Sequence, residues 1–246
     1  MKNRNGALAS DHERACARVA ARFGELWLRI YAGQKLRSDP VFPAAFELLR
    51  NSADKLIDVG CGVGLLGLYL RERRFRPPVI GIDRDGRKIE RARAAAAGYS
   101  DLDFIEQDAG ETLSRTGSVA LFDVLHYLPP EEQERLLTQL IRRVAPGGLL
   151  LIRDCPRDRN ARFWLTLLAE RFAQLITWNV AAPLHFPDRE EIAAHFLPRE
   201  FENQIKPLWG STPFNNHLFI FRRRAAATAP APEARSGNPP SPATRA

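Results

Sequence analysis

The residues able to do chemistry in this chain stand at a few spaced stations. The first is Asp58-Val59-Gly60-Cys61-Gly62-Val63-Gly64, three alternating glycines behind a carboxylate. Glycine at that density permits left-handed backbone and lets a ligand lie against bare peptide groups. Asp83 stands about 20 residues further on, followed by Asp108, Asp123 and His126. Carboxylates accept hydrogen bonds from hydroxyl and amino groups or face a cation. A histidine with an ordinary pKa of ~6.5 can take or share a proton. The other reading of His126 is structural, its ring bonded to nearby backbone. His185, His195 and His217 are weaker candidates, and the histidines and carboxylates lack metal-ligand spacing. Cys16, Cys61 and Cys155 lie far apart, which reads as three reduced thiols.

The elements that must carry these stations alternate. Leu56, Ile57 and Val59 form a short apolar run with β-branched members, a buried strand entering the glycine loop. A helix restarts at residues 65–70, with Arg71, Arg73, Arg74 and Arg76 complementing its C-terminal dipole. Further strands are expected over 79–83, 102–105, 119–124 and 149–152, with helices over 84–97 and about 131–144 between them. Such alternation implies parallel strands joined by right-handed crossovers. Asp83 then sits at a strand tip, placed to accept hydrogen bonds from both hydroxyls of a ribose, or else to cap the helix beginning beside it. The last two strands are expected over 201–205 and 217–222.

Two cofactor fingerprints overlap at the glycine loop. Gly62-Val63-Gly64-Leu65-Leu66-Gly67 satisfies the dinucleotide pattern G-x-G-x-x-G. Asp58-Val59-Gly60-Cys61-Gly62-Val63-Gly64 resembles the D-x-G-x-G-x-G motif of class I S-adenosylmethionine-dependent methyltransferases. Placement favours the second, because Asp58 and Gly60 already occupy the strand end where a dinucleotide loop puts its first glycine. A carboxylate there suits the ammonium of a methionine moiety and repels a pyrophosphate. An NAD(P)-dependent oxidoreductase is the alternative enzyme; a cofactor-binding scaffold without catalysis is the alternative outside enzymes.

The resemblance covers roughly residues 53–154. It implies an α/β fold with a Rossmann-like, mostly parallel seven-stranded sheet and helices on both faces. It implies S-adenosyl-L-methionine as cofactor, held by Asp58, Gly60, Cys61, Gly62 and Gly64, by Asp83 and Arg84 at the ribose, and by Asp108 and Ala109 at adenine. Ile82 is a further wall. Phe122-Asp123-Val124-Leu125-His126-Tyr127 resembles the family's segment after strand four, with Asp123 near the methionine end and His126 as candidate catalytic base.

Outside the core, residues 1–52 read as an N-terminal helical lid, 53–224 as the cofactor-binding domain with a helical insertion at about 157–196, and 225–246 as a disordered Ala/Pro/Ser-rich tail. Residues 1–9 look loose, and Ser10 with Glu13 reads as a capping box. It opens a helix whose stripe is Ala15, Val19, Phe23, Trp27, Ile30 and Tyr31. Residues 35–40 read as a connector to a helix over 43–49. A long helix is expected over 160–178, and a shorter one from Asp188, its N-cap, with Glu191 at N3. Trp27, Tyr31, Phe163, Trp164, Trp178, Trp209 and Phe214 supply aromatic surface near the expected pocket mouth. Residues 27–40 and 209–221 resemble segments of bacterial methyltransferases of polyketide-like pigment pathways. The expectation is a small hydrophobic acceptor, aromatic or acyl-type, methylated at oxygen.

A net charge of +7 raises nucleic acid as a partner, but the arginines are scattered and no helix has an unbroken basic face. The Asn/Asp-Pro-Pro-Tyr/Phe signature of base methylation is absent after strand four. No apolar run approaches a membrane span, and the N-terminus lacks a signal-peptide core. A cytoplasmic enzyme is expected.

Overall fold

A computed structural model of the chain describes residues 3–109, 115–175 and 183–225, the side chains of 3–10 and 172–175 excepted. Three helices come first: α1 (Asn3–Ala21), α2 (Leu26–Ser38) and α3 (Val41–Leu49). The alternating core follows as β1 (Leu56–Val59), α4 (Leu65–Glu72), β2 (Val79–Asp83), α5 (Gly86–Ala95), β3 (Leu102–Glu106), β4 (Ser118–Phe122), α6 (Pro130–Arg143) and β5 (Leu149–Asp154). A single 3-10 turn, Leu125–Tyr127, leads out of β4. Then come α7 (Ala161–Leu175), α8 (Arg189–Ala194), β6 (Phe201–Pro207) and β7 (His217–Arg223).

The seven strands form one sheet in the order β3-β2-β1-β4-β5-β7-β6. The first five are parallel; β7 runs antiparallel between β5 and β6. Alternate residues divide between two cores. Leu56, Val79, Ala120, Leu149 and Leu151 pack toward α1 to α5, whereas Ile57, Val119, Leu121, Leu150 and Ile152 pack toward α6 and α8. Strands covered on both faces read as continuous apolar runs, and that is why β1, β2 and β5 are visible in the sequence. The order reverses between β1 and β4, so the crevice of this sheet lies beyond their C-terminal ends.

The N-terminal segment departs from its expected form. No helix begins at Ser10: α1 already runs from Asn3, and the Ala7-Leu8-Ala9 stretch of good helix formers carries it through. The single stripe expected to reach Tyr31 is broken around Gly24, so Phe23 is buried while Trp27 and Ile30 are exposed. The expected connector is the last turn of α2, with Leu36 fully buried. By contrast, Asp188 does cap α8 in a capping box with Glu191. Most of the expected tail, 226–246, and Trp178 lie outside the described residues. No helix of the described residues is long and apolar enough to cross a membrane.

Candidate active site

Beyond β1 the chain turns through Gly60, Gly62 and Gly64, all at positive φ (72°, 55° and 79°). A Cβ on Gly60 would fall 2.3 Å from Val124 Cγ2, and one on Gly64 2.4 Å from Phe104 Cζ. These two glycines are required by the fold. At Gly62 a Cβ would meet nothing within 4 Å, so its bare face opens on a cleft.

That cleft has a volume of about 410 Å³ and runs across the tips of β2, β1 and β4. Its walls bring together Asp58, Gly60, Cys61, Gly62, Asp83, Arg84, Asp108, Ala109 and Asp123, along with Ile82. Gly64 sits behind the loop as the residue preceding α4.

Asp83 is freed for binding because it is not the cap of the next helix. Asp85 takes that role, accepting from Arg87 N–H. The Asp83 carboxylate accepts from Gly62 N–H at 2.8 Å and from Asp85 N–H at 2.9 Å. It thereby ties the glycine loop to β2, and with about four acceptor sites per carboxylate it retains capacity toward the cleft. Asp58 is 3% exposed. Burial, with Asp83 nearby, raises its pKa to about 7. A buried carboxylate whose neighbouring charge is another carboxylate is arranged for a cationic ligand.

At the other end of the cleft lies a charged cluster that sequence spacing does not reveal. Lys35, on α2, lines the cleft and pairs with Asp39 at 2.8 Å and Asp123 at 3.6 Å. Arg153, 4% exposed at the end of β5, bonds Asp39 at 2.7 Å and also pairs with Asp123. Burial opposes the Arg153 charge, but Asp123 and Asp39 outweigh it and raise its pKa further. Asp123 is held at φ 58°, a left-handed conformation that aspartate tolerates better than most residues. That kink ends β4 and turns the carboxylate toward Lys35 and Arg153.

His126 does not face the cleft as expected. It is 2% exposed, behind the wall formed by Tyr127, with Phe186 stacked on it at 5.2 Å. Its Nδ1 donates to Asp154 Oδ1 at 2.7 Å, and its Nε2 lies 3.9 Å from Glu170 Oε2. Burial opposes its charge, yet Asp154 and Glu170 prevail and raise its pKa to about 10. The two carboxylates thus favour its charged, doubly protonated form. Glu170, on α7, lines the cleft and accepts from the Tyr127 hydroxyl.

Of the aromatic residues expected at the mouth, Tyr31 lines the cleft. Phe163 is buried against Cys155 and Phe186, Trp164 is exposed, and Trp209 packs beside His217 and Arg162. Phe42, Phe122 and Tyr127 supply the remaining aromatic lining. Lys35 and Glu170 were not singled out by spacing, because each comes from a helix whose docking only the tertiary fold decides; Tyr127 lies in the segment after β4 that the sequence did mark.

The residues present fit an amino-acid-bearing nucleoside. Carboxylates occupy successive strand tips and an open glycine stands between them, an arrangement that suits an ammonium, hydroxyls and an amino group better than a diphosphate.

Comparison with known proteins agrees. A methyltransferase domain family is matched over residues 28–225. The carboxy-S-adenosyl-L-methionine synthase of Actinobacillus succinogenes is 32% identical over 107 residues, 41% of this chain and 44% of that protein. The enzyme of that name from Shewanella baltica is 24% identical over 193 residues, 72% of this chain and 75% of its own. Among solved structures, the pyocyanin biosynthetic protein PhzM superposes with a TM-score of 0.61 at 17% identity, over 83% of this chain and 60% of its own. Magnesium protoporphyrin IX methyltransferase ChlM from Synechocystis PCC 6803, with bound SAH, gives 0.58 at 17% identity, over 90% and 100%. These structural likenesses concern the fold. The family match spans most of the chain and agrees with the cleft: the protein belongs to the methyltransferase domain family and is an S-adenosylmethionine-dependent methyltransferase.

Proposed function

We propose that this enzyme methylates a hydroxyl oxygen of a small hydrophobic acceptor. The observation that carries the reading is the composition of the cleft, whose wall combines Tyr31, Phe122, Tyr127 and Leu128 with the carboxylate of Glu170. Apolar and aromatic walls take up an apolar body, and the carboxylate meets a hydrogen-bond donor on it.

In this reading Asp58 faces the ammonium of the donor, Asp83 the ribose and Asp108 the adenine amino group, with Ala109 and Arg84 as walls. When bound, S-adenosylmethionine supplies an electrophilic methyl on a sulfonium. The chain's part is positioning: the glycine loop and Asp123 fix one partner, α2 and α7 enclose the other, and water is kept from the line of transfer. Helices α2 and α7 act as the lid, each contributing a cleft residue from outside the sheet.

The activity named for the curated relatives, synthesis of carboxy-S-adenosylmethionine, places a further carboxylate at this end. Lys35 and Arg153 are the cations there, and both are already paired with Asp39 and Asp123. Methyl transfer is therefore the better fit. The test is calorimetric titration with S-adenosylhomocysteine against NADH. A survey of hydroxyl-bearing aromatic and acyl compounds follows, with mass spectrometry of both products. Tight S-adenosylhomocysteine binding and an O-methylated product are expected. Methylation confined to amines or carbon, or a carboxylated nucleoside, would overturn the acceptor reading.

A further inference from the structure

We infer that Glu170 takes the acceptor's proton, and that Tyr127 and His126 are positioning residues that hold its carboxylate for this step; the inference rests on the hydroxyl-acceptor reading above. Glu170 projects from α7 into the cleft with its side chain 23% exposed. It differs from the neighbouring carboxylate, Asp123, which is committed to Arg153 and Lys35. The Tyr127 hydroxyl donates to Glu170 Oε2, leaving acceptor capacity for a donor arriving from the cleft.

Behind this pair stands His126. Asp154, fully buried, receives His126 Nδ1 at 2.7 Å, Cys155 N–H at 2.7 Å and Leu125 N–H at 3.1 Å, so the ring is anchored to β5. Gln133 Nε2 clamps the same turn through the Leu125, Leu128 and His185 carbonyls. The other ring nitrogen, Nε2, is buried without a hydrogen-bond partner and faces Glu170 Oε2 across 3.9 Å. An unsatisfied buried donor is costly, and that carboxylate oxygen is the acceptor within reach. Catalytic hydrogen bonds are commonly long before the substrate is seated.

The step balances as follows. A lone pair of the acceptor oxygen forms the new O–C bond, the C–S bond of the sulfonium donor breaks, and its electron pair returns to sulfur. The hydroxyl proton passes to Glu170, which becomes a neutral acid and releases the proton to water. His126 cannot receive it, because it already holds both of its own. Burial alone would raise the pKa of Glu170, but His126, Tyr127 and Lys35 together lower it. The carboxylate is thus anionic at neutral pH and accepts the proton only as O–C bond formation makes the hydroxyl acidic.

The test uses 2-naphthol and its methyl ether, 2-methoxynaphthalene, with the full chain loaded with S-adenosylhomocysteine for the binding measurements and supplied with S-adenosylmethionine for turnover. The wild type is expected to bind the naphthol about tenfold more tightly than the ether, the difference made by a hydrogen bond to a charged group, and to methylate it. Glu170→Gln is expected to keep its S-adenosylhomocysteine affinity, lose that preference, and turn over at least about tenfold more slowly. Retention of preference and turnover, or loss of S-adenosylhomocysteine binding, overturns the assignment to Glu170. A wild type that binds S-adenosylhomocysteine but neither naphthalene overturns the acceptor reading, and this inference with it. For the positioning role, His126→Gln is expected to move the acid limb of the turnover–pH profile upward. Tyr127, Lys35, Asp123 and Asp154 are the other charged or titratable groups around Glu170 and His126, and they are unchanged in that variant. An unmoved acid limb would reduce His126 to a structural role.

Discussion

At the scale of single residues, two carboxylates at neighbouring strand tips do different work because their surroundings differ. Asp83 is held by the N–H groups of Gly62 and Asp85. Asp83→Ala removes both the proposed ribose contact and the tie to the glycine loop. S-adenosylhomocysteine affinity is expected to fall at least tenfold, the loss of about 1.5–3 kcal/mol typical of a hydrogen bond to a charged group. Unchanged calorimetric affinity would remove Asp83 from the site. Asp58, with its pKa near 7, gives a pH signature. In the ligand-free protein it is the neutral acid below that pH, and an ammonium binds its anion better. Affinity is therefore expected to rise with pH, by about tenfold between pH 6 and pH 8, and to level off above. Asp58→Asn should flatten the profile; a flat wild-type profile would place the ammonium elsewhere.

His126 belongs to the same scale through its protonation. Its pKa is raised in the fold, from an ordinary 6.5 to about 10. Its charged form therefore contributes stability that is complete below pH 6.5 and lost as pH rises toward 10. The gap in unfolding free energy between wild type and His126→Gln is expected to shrink by about 3 kcal/mol from pH 7 to pH 10. Urea titrations of both proteins at the two pH values measure it. A constant gap would mean that the buried ring is neutral.

At the scale of elements, the glycine loop separates folding from function. Gly64→Ala puts a methyl 2.4 Å from Phe104 Cζ at φ 79°. It is expected to cost about 2–4 kcal/mol, backbone strain plus overpacking. Gly62→Ala has open space and carries only the backbone term, about 1 kcal/mol, but its methyl stands in the cleft. The expected result is a pair of opposite phenotypes. Thermal melting falls sharply for Gly64→Ala, whereas S-adenosylhomocysteine binding falls for Gly62→Ala with a melting temperature only slightly lowered. Equal behaviour of the two would show that the loop does not line the donor site.

At the scale of the molecule, the sheet and its cofactor end were readable because local and global signals coincide there. Val79-Ile80-Gly81-Ile82-Asp83 is an apolar run with a carboxylate at its tip, and both follow from one buried parallel strand with its end at a crevice. The acceptor end was not readable. Lys35 looks like a solvated connector charge until α2 is seen to continue through Ser38 and deliver it to the cleft. Glu170 is one glutamate in an aromatic helix until α7 is docked. His126 stood out by position, but its role depends on Asp154, 28 residues away in sequence. Trp27 and Trp164 carried a strong aromatic signal, yet they are largely exposed at 46% and 60%. Composition cannot say which side of a helix meets the protein.

The Asp39–Arg153 contact joins the third-from-last strand to the stretch preceding the first one, entirely within the interior. The N-terminal helices are therefore no interchangeable cassette. A chimera that exchanged them to alter what the enzyme accepts would leave that guanidinium one carboxylate short, with Asp123 as its remaining ion-pair partner in a dry place. Grafting must carry position 153 along with the graft.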